Sequence, residues 1–174
     1  GALTVRVVEE QLDQAVRQVV GDLAEGPLGT RAGRVLHAQI VAEASDYGQL
    51  RAELKKHGEP DVLVMDVGLP GKNGIEILKS LREEYPRLKV LMVSMYPEDQ
   101  YAVRAFKAGA FGYLNKGSAP DKLLEALSMV IAGKKYVTPE IAQALIENLN
   151  APEDTVAPHE KLSDREFQTL RLMA

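Results

Sequence analysis

The chain has 174 residues, 45% of them apolar, and a formal net charge of −4, which excludes global disorder and excludes the chain as a whole from electrostatic nucleic-acid binding. Cysteine is absent, so disulfides, thiolate metal sites and cysteine nucleophiles are excluded and a reducing compartment fits. No apolar run approaches the roughly 18 residues of a membrane span and no signal-peptide pattern opens the chain, so a cytoplasmic protein without membrane contact is expected.

Leu3 to Val8 is β-branched and apolar apart from Thr4 and Arg6, and reads as a first strand followed at once by Glu9 and Glu10. Leu12, Val16, Val19 or Val20, and Leu23 recur at helical spacing, and Gly26-Pro27-Leu28-Gly29 breaks that helix. Residues 30 to 38 stay open between a helical turn and an extra loop. Gln39 to Ala44 reads as a second strand, and Tyr47 to His57, with Leu50 and Leu54 inward, as a helix. Val62 to Met65 is a continuous apolar run, the mark of a strand buried on both faces, and Asp66 ends it. A helix carrying Ile75, Ile77, Leu78 and Leu81 follows the turn.

The alternation continues with a strand at Val90 to Ser94 and a helix from Glu98 to Ala108, which Gly109 stops. Gly112 to Leu114 is a short strand, Ala119 to Ala132 a helix, and Gly133-Lys134-Lys135 its exit. Five strand–helix alternations predict an α/β fold, a doubly wound five-stranded parallel sheet with right-handed crossovers. Thr138 then reads as an N-cap with Pro139 at the first helical position, and Ile141, Leu145 and Ile146 make that helix amphipathic. Ala151 to Glu160 is Pro-rich, acidic and aperiodic, a linker, and Ser163 caps one more helix. His37, His57 and His159 have no ligand-like spacing and read as surface residues.

Three strand ends carry polar residues that make chemical sense together. Asp66 ends the third strand, Ser94 the fourth, and Lys116 follows the fifth, all on the sheet edge where open α/β sheets place their chemistry. A carboxylate supplies the nucleophile of aspartyl-phosphate chemistry, a hydroxyl bonds a phosphoryl oxygen, and an ammonium neutralises one. A hard cation such as Mg²⁺ must offset the remaining negative charge, and Glu9 and Glu10 are the candidates to hold it.

Asp66-(x)3-Pro70-(x)3-Gly74, Val93-Ser94-Met95-Tyr96 and Gly109-Ala110-Phe111-Gly112-Tyr113-Leu114-Asn115-Lys116 resemble the receiver domain of two-component response regulators. The Ser-Met-Tyr and Gly-Tyr-Leu-x-Lys forms resemble the NarL/FixJ subgroup, and Lys161-Leu162-Ser163-Asp164-Arg165-Glu166 resembles the opening of its LuxR-type helix-turn-helix domain. The resemblance implies a flavodoxin-like receiver domain over 1–135, a linker helix and flexible linker over 136–160, and the first helix of a truncated helix-turn-helix domain over 161–174. It implies that Asp66 accepts a phosphoryl group from a histidine kinase, that Ser94 and Tyr113 are the switch hydroxyl and switch aromatic, and that Lys116 pairs with the phosphoryl group. It also makes Asp66 and the backbone carbonyl of Gly68 metal ligands, and it implies a homodimer.

The segment after the first strand departs from the family, whose acidic pair is usually two aspartates. Here the pair is Glu9-Glu10, and the stretch to the second strand is long around Gly26 to Leu36. A second register takes Val16 to Val20 as the first strand, making Asp22 or Glu25 the ligand. The first register is preferred, because Leu12 to Leu23 reads better as a helix. The alternative for the pair is an acidic helix start favoured by the helix dipole.

Three functions compete. The first is a phosphorylation-controlled switch, with phosphate at Asp66 shifting a two-state equilibrium through Ser94 and Tyr113. The second, motivated by the altered acidic pair, is a phosphorylation-independent receiver-like dimerisation module. The third, an aspartate-nucleophile phosphatase, needs an acid two residues after the nucleophile, where Gly68 stands, so the chain is not expected to be an enzyme. No recognition helix follows the last helix, so DNA contact by residues 1–174 alone is expected to be weak or nil.

Overall fold

The computed structural model describes residues 3–8, 28–31, 34–36, 38–69, 71–118 and 120–150. The strands are β1 (Leu3–Val8), β2 (Leu28–Arg31), β3 (Arg34–Leu36), β4 (Ala38–Ala44), β5 (Val62–Asp66), β6 (Val90–Ser94) and β7 (Gly112–Asn115). The helices are α1 (Tyr47–His57), α2 (Gly74–Glu84), α3 (Glu98–Lys107), α4 (Pro120–Ile131) and α5 (Pro139–Asn150). The expected helix over residues 12–23, the linker and the helix after Ser163 lie outside the described residues.

One sheet runs in the order β4-β1-β5-β6-β7 with parallel pairing throughout, so α/β order and helical crossovers define the fold. β1 is the segment of the first register, and Arg6 stands opposite Leu63 with a register irregularity between Val5 and Arg6 on the β4 side. Residues 16–20 of the second register lie outside the described residues. Between them and β4 the chain forms something the sequence left open: β2 and β3 pair antiparallel as a separate two-stranded sheet. Neither a helical turn nor a plain loop occupies Leu28–Arg31 and Arg34–Leu36.

β5 and β6 explain why a continuous apolar run is needed. Val62, Leu63, Val64 and Met65 are all buried, as are Val90 to Val93, because helices cover both faces of these central strands. One face carries Leu63, Met65, Val90 and Met92 with Leu50, Leu54, Ile77, Leu78 and Tyr101. The other carries Val62, Val64, Leu91, Val93 and Leu114 under Leu123, Leu127 and Val130 of α4.

Local chemistry fixes the helix ends around the site. Asp46 caps α1 by accepting from the Gln49 N–H at 2.9 Å. Asn73 caps α2, its buried Oδ1 accepting from the Ile75 N–H at 2.8 Å. Asn73→Ala is expected to lower stability by about 1–2 kcal/mol, whereas Asn73→Asp keeps the acceptor and loses less. Urea unfolding of the two variants checks this; equal losses would refute the capping role. Gly109, at φ 103, ends α3 in the left-handed region, where a Cβ would also meet the Arg82 side chain at 2.7 Å.

Past Lys135 the chain stays attached to the sheet. Tyr136 donates its N–H to the Phe111 carbonyl at 2.8 Å and forms a parallel bridge to Gly112 beside β7. Thr138 caps α5, as its sequence predicts, with Oγ1 accepting from the Ile141 N–H at 3.3 Å. Ile141 is buried in the same cluster as Tyr101 and Tyr113, and Leu145 packs against it. Ile146, expected on the inward stripe, is instead 53% exposed: α5 rests on α3 with Ile141 and Leu145, and Ile146 lies beside that stripe.

Candidate functional site

The register of the sheet assembles the site. Asp66 is opposite Val93, and Ser94 opposite Asn115, so the ends of β5, β6 and β7 open on one edge. Val8, the last residue of β1, is opposite Met65, so β1 ends at that edge too.

Asp66 is partly buried and both of its carboxylate oxygens are engaged. Oδ1 accepts from the Gly68 N–H at 2.9 Å, and Oδ2 from Lys116 Nζ at 2.7 Å. The side chains of Lys116 and Asp66 are only 10% and 14% exposed, so this is a largely desolvated, charge-assisted pair rather than a surface one. The backbone of Lys116 is held as well, its N–H donating to the Ser94 carbonyl at 2.8 Å. The arrangement is a carboxylate held by an amide and an ammonium at the strand ends.

Ser94 is buried, and its Oγ accepts from the Tyr96 N–H at 3.1 Å. Tyr113 points inward and is buried, with Oη donating to the Tyr96 carbonyl at 3.1 Å. Burial pushes the Tyr113 phenol well above the ordinary tyrosine range, and the Ser94 hydroxyl beside it partly opposes that shift. Ser94 and Tyr113 therefore meet at one short backbone segment, the turn at Tyr96. The Tyr96 ring stacks on Tyr101 at 4.7 Å.

The sequence reading missed the groups that finish this edge. Asn115 donates Nδ2 to the Tyr96 carbonyl and its N–H to Glu98 Oε1, both at 3.4 Å. Asn115 precedes Lys116 and Glu98 opens α3, so adjacency to known site residues was the one available signal.

Glu9 and Glu10 lie outside the described residues. Among the described residues no three His, Cys, Asp or Glu side chains form a group able to hold a metal. Asp66 and the Gly68 carbonyl are hard oxygen donors of the kind Mg²⁺ takes, so the edge fits such an ion in part. His57 is exposed beside Glu53 on α1, in accord with a surface role. No helix among the described residues is long and apolar enough to cross a membrane.

The fold is a parallel α/β sheet with an Asp–Lys pair across its carboxyl edge, and comparison with known proteins gives the family. Residues 33–128 match the response regulator receiver domain, and the chain belongs to that family. It is 36% identical over 136 residues to the response regulator GacA of Pseudomonas aeruginosa, covering 78% of this chain and 63% of that protein. It is 31% identical over 135 residues to the response regulator UvrY of Escherichia coli, covering 78% and 62%. The chain thus spans about three-fifths of the length of these relatives (63% and 62%). Among solved structures it is similar to a LuxR-family two-component response regulator from Aurantimonas sp. SI85-9A1, with a TM-score of 0.67 and 30% identity over 87% of this chain and all (100%) of that one.

Proposed function

We propose that this receiver works as a phosphorylation-controlled switch, with Asp66 as acceptor, Lys116 as its charge partner, and Ser94 and Tyr113 as the switch pair on a five-stranded doubly wound sheet. The observation that carries this is the 2.7 Å contact between Lys116 Nζ and Asp66 Oδ2 at the strand ends. In the transfer step an Asp66 oxygen attacks the phosphorus of a phosphohistidine on a histidine kinase. The O–P bond forms as the P–N bond breaks, and the leaving imidazole keeps the electron pair and takes up a proton. Lys116 stays beside the group and offsets part of its new charge. Hydrolysis by water then returns Asp66 and inorganic phosphate, so the domain is a switch rather than an enzyme with a separate substrate.

Mg²⁺ supplies charge neutralisation for such a transfer, and Asp66, the Gly68 carbonyl and Glu9 with Glu10 are the residues that would hold it. The parent protein is read as a cytoplasmic, homodimeric transcription regulator, with residues 1–135 as receiver, 136–160 as linker helix and linker, and 161–174 opening a LuxR-type DNA-binding domain. Likeness to a LuxR-family structure supports that reading. DNA contact belongs to that helix-turn-helix part.

The test is incubation with acetyl phosphate and Mg²⁺, followed by intact mass. The expected result is a gain of one phosphoryl group that disappears with Asp66→Asn and on chelation of Mg²⁺. A folded protein that gains nothing would instead favour the phosphorylation-independent dimerisation module.

A further inference from the structure

Glu98 is the first residue of α3, and its two carboxylate oxygens reach two other elements. Oε1 accepts from the Asn115 N–H at the end of β7 at 3.4 Å, and Oε2 from the Thr138 hydroxyl at 3.0 Å. Its own helix is capped by Pro97 without a side-chain bond, so the carboxylate is not spent on ordinary capping. A carboxylate there is favoured by the helix dipole.

Thr138 is buried, and its hydroxyl is used in both directions. The oxygen accepts the Ile141 N–H at 3.3 Å, and its single proton goes to Glu98. The first turn of α5 is closed by the Ala142 N–H on the Thr138 carbonyl at 2.9 Å. Glu98 therefore holds the N-cap of α5, and through it the docked position of Ile141 beside Tyr101 and Tyr113.

The other arm of Glu98 ends one residue from Lys116. Asn115 gives its N–H to Glu98 and its Nδ2 to the Tyr96 carbonyl, pairs in register with Ser94, and accepts from the Gly117 N–H on Oδ1 at 2.8 Å and from the Ser118 N–H on its carbonyl at 2.9 Å. On the phosphoacceptor reading, a phosphoryl group at Asp66 draws the Lys116 ammonium and the Ser94 hydroxyl, releasing the Tyr96 N–H from Ser94 Oγ. The Tyr96 carbonyl, on which Tyr113 and Asn115 converge, lies in the next peptide and shifts as the freed backbone turns about the Tyr96 Cα. At 3.4 Å the Asn115–Glu98 bond is near the outer limit of a hydrogen bond, so a small displacement of this edge breaks it.

We propose that Glu98 is a latch, a positioning residue that ties the docked state of α5 to the Asp66 edge, so that a phosphoryl group on Asp66 loosens α5. The coupling rests on the phosphoacceptor reading above; the tie between Glu98 and α5 does not.

Hydrogen exchange of the amides of residues 140–145, read beside intact mass, separates the two. Without phosphodonor, Glu98→Ala is expected to speed exchange there about ten-fold, the effect of losing a charge-assisted hydrogen bond. Glu98→Gln keeps one carbonyl acceptor and falls between. Thr138→Val removes cap and latch together and exceeds Glu98→Ala, while β5 and β6 amides stay unchanged in all three. Phosphorylated wild type is expected to match Glu98→Ala, and phosphorylation of Glu98→Ala to add nothing. A mass gain with unaltered α5 exchange overturns the coupling but leaves Asp66 as acceptor. If no mass gain occurs, the acceptor reading fails with the coupling, and faster exchange in Glu98→Ala alone upholds the tie. Unchanged exchange in Glu98→Ala overturns the latch whatever the mass shows.

Discussion

Gly74→Ala is expected to cost about 4 kcal/mol or more, the largest effect of adding a methyl group at any described glycine. Gly74 opens α2 and donates its N–H to the Val67 carbonyl at 2.8 Å, which presses the start of the helix onto the end of β5. A Cβ built there would sit 2.2 Å from the Asp66 carbonyl oxygen, 2.9 Å from Val67 Cα and 3.1 Å from the Asp66 carbonyl carbon. All three atoms are backbone, so no rotamer change relieves the overlap. The strand end or the helix must move, and either carries Asp66 away from Lys116. Against a typical stability of about 5–15 kcal/mol the loss is a large share of the total. Gly71 provides the contrast. Its φ of 76 disfavours a side chain, but nothing lies within 4 Å of a Cβ there, so Gly71→Ala should cost only about 1 kcal/mol. Urea melts of both variants, with phosphoryl uptake as second readout, decide the matter. Similar midpoints for the two would show that the close approach of α2 to β5 is not what the glycine serves.

Lys116→Met is expected to remove about 3 kcal/mol, because it strands the partly buried Asp66 carboxylate with one bonded oxygen fewer. The pair is 10% and 14% exposed, which separates it from surface ion pairs worth little. The double variant Asp66→Asn/Lys116→Met removes both charges and should recover much of that loss, since no uncompensated charge remains. Phosphoryl uptake by Lys116→Met should fall about 100-fold, the usual effect of deleting one preorganised electrostatic group at the reacting centre. A loss below about 0.5 kcal/mol in the single variant would place the pair with ordinary surface contacts.

Which parts were legible in the sequence follows from which forces write themselves into residue types. β5 and β6 were readable because burial on both faces admits only apolar residues, and the strands are Val62–Asp66 and Val90–Ser94. The start of α5 was readable because a threonine followed by proline satisfies the first orphan amides of a helix. Asp66 and Lys116 were readable because charged residues at the ends of buried strands need each other. β2 and β3 were not, since Leu28-Gly29-Thr30-Arg31 has no clean alternation to mark a strand. Ile146 misled because helical periodicity marks a stripe without saying how much of its width a neighbour covers. The Tyr96 carbonyl, where Tyr113 and Asn115 converge, has no sequence signature at all, because every residue carries one.

The bridge from Tyr136 to Gly112 bears on what the edge of the sheet can accept. β7 is the last strand of its sheet, and such margins invite another chain to add on through its main-chain groups, the usual route to runaway stacking. Here the chain's own return segment occupies part of that margin, with Tyr136 buried against it. Strand addition at this side is thereby hindered, and what the margin offers a neighbour is side chains rather than a free row of main-chain groups.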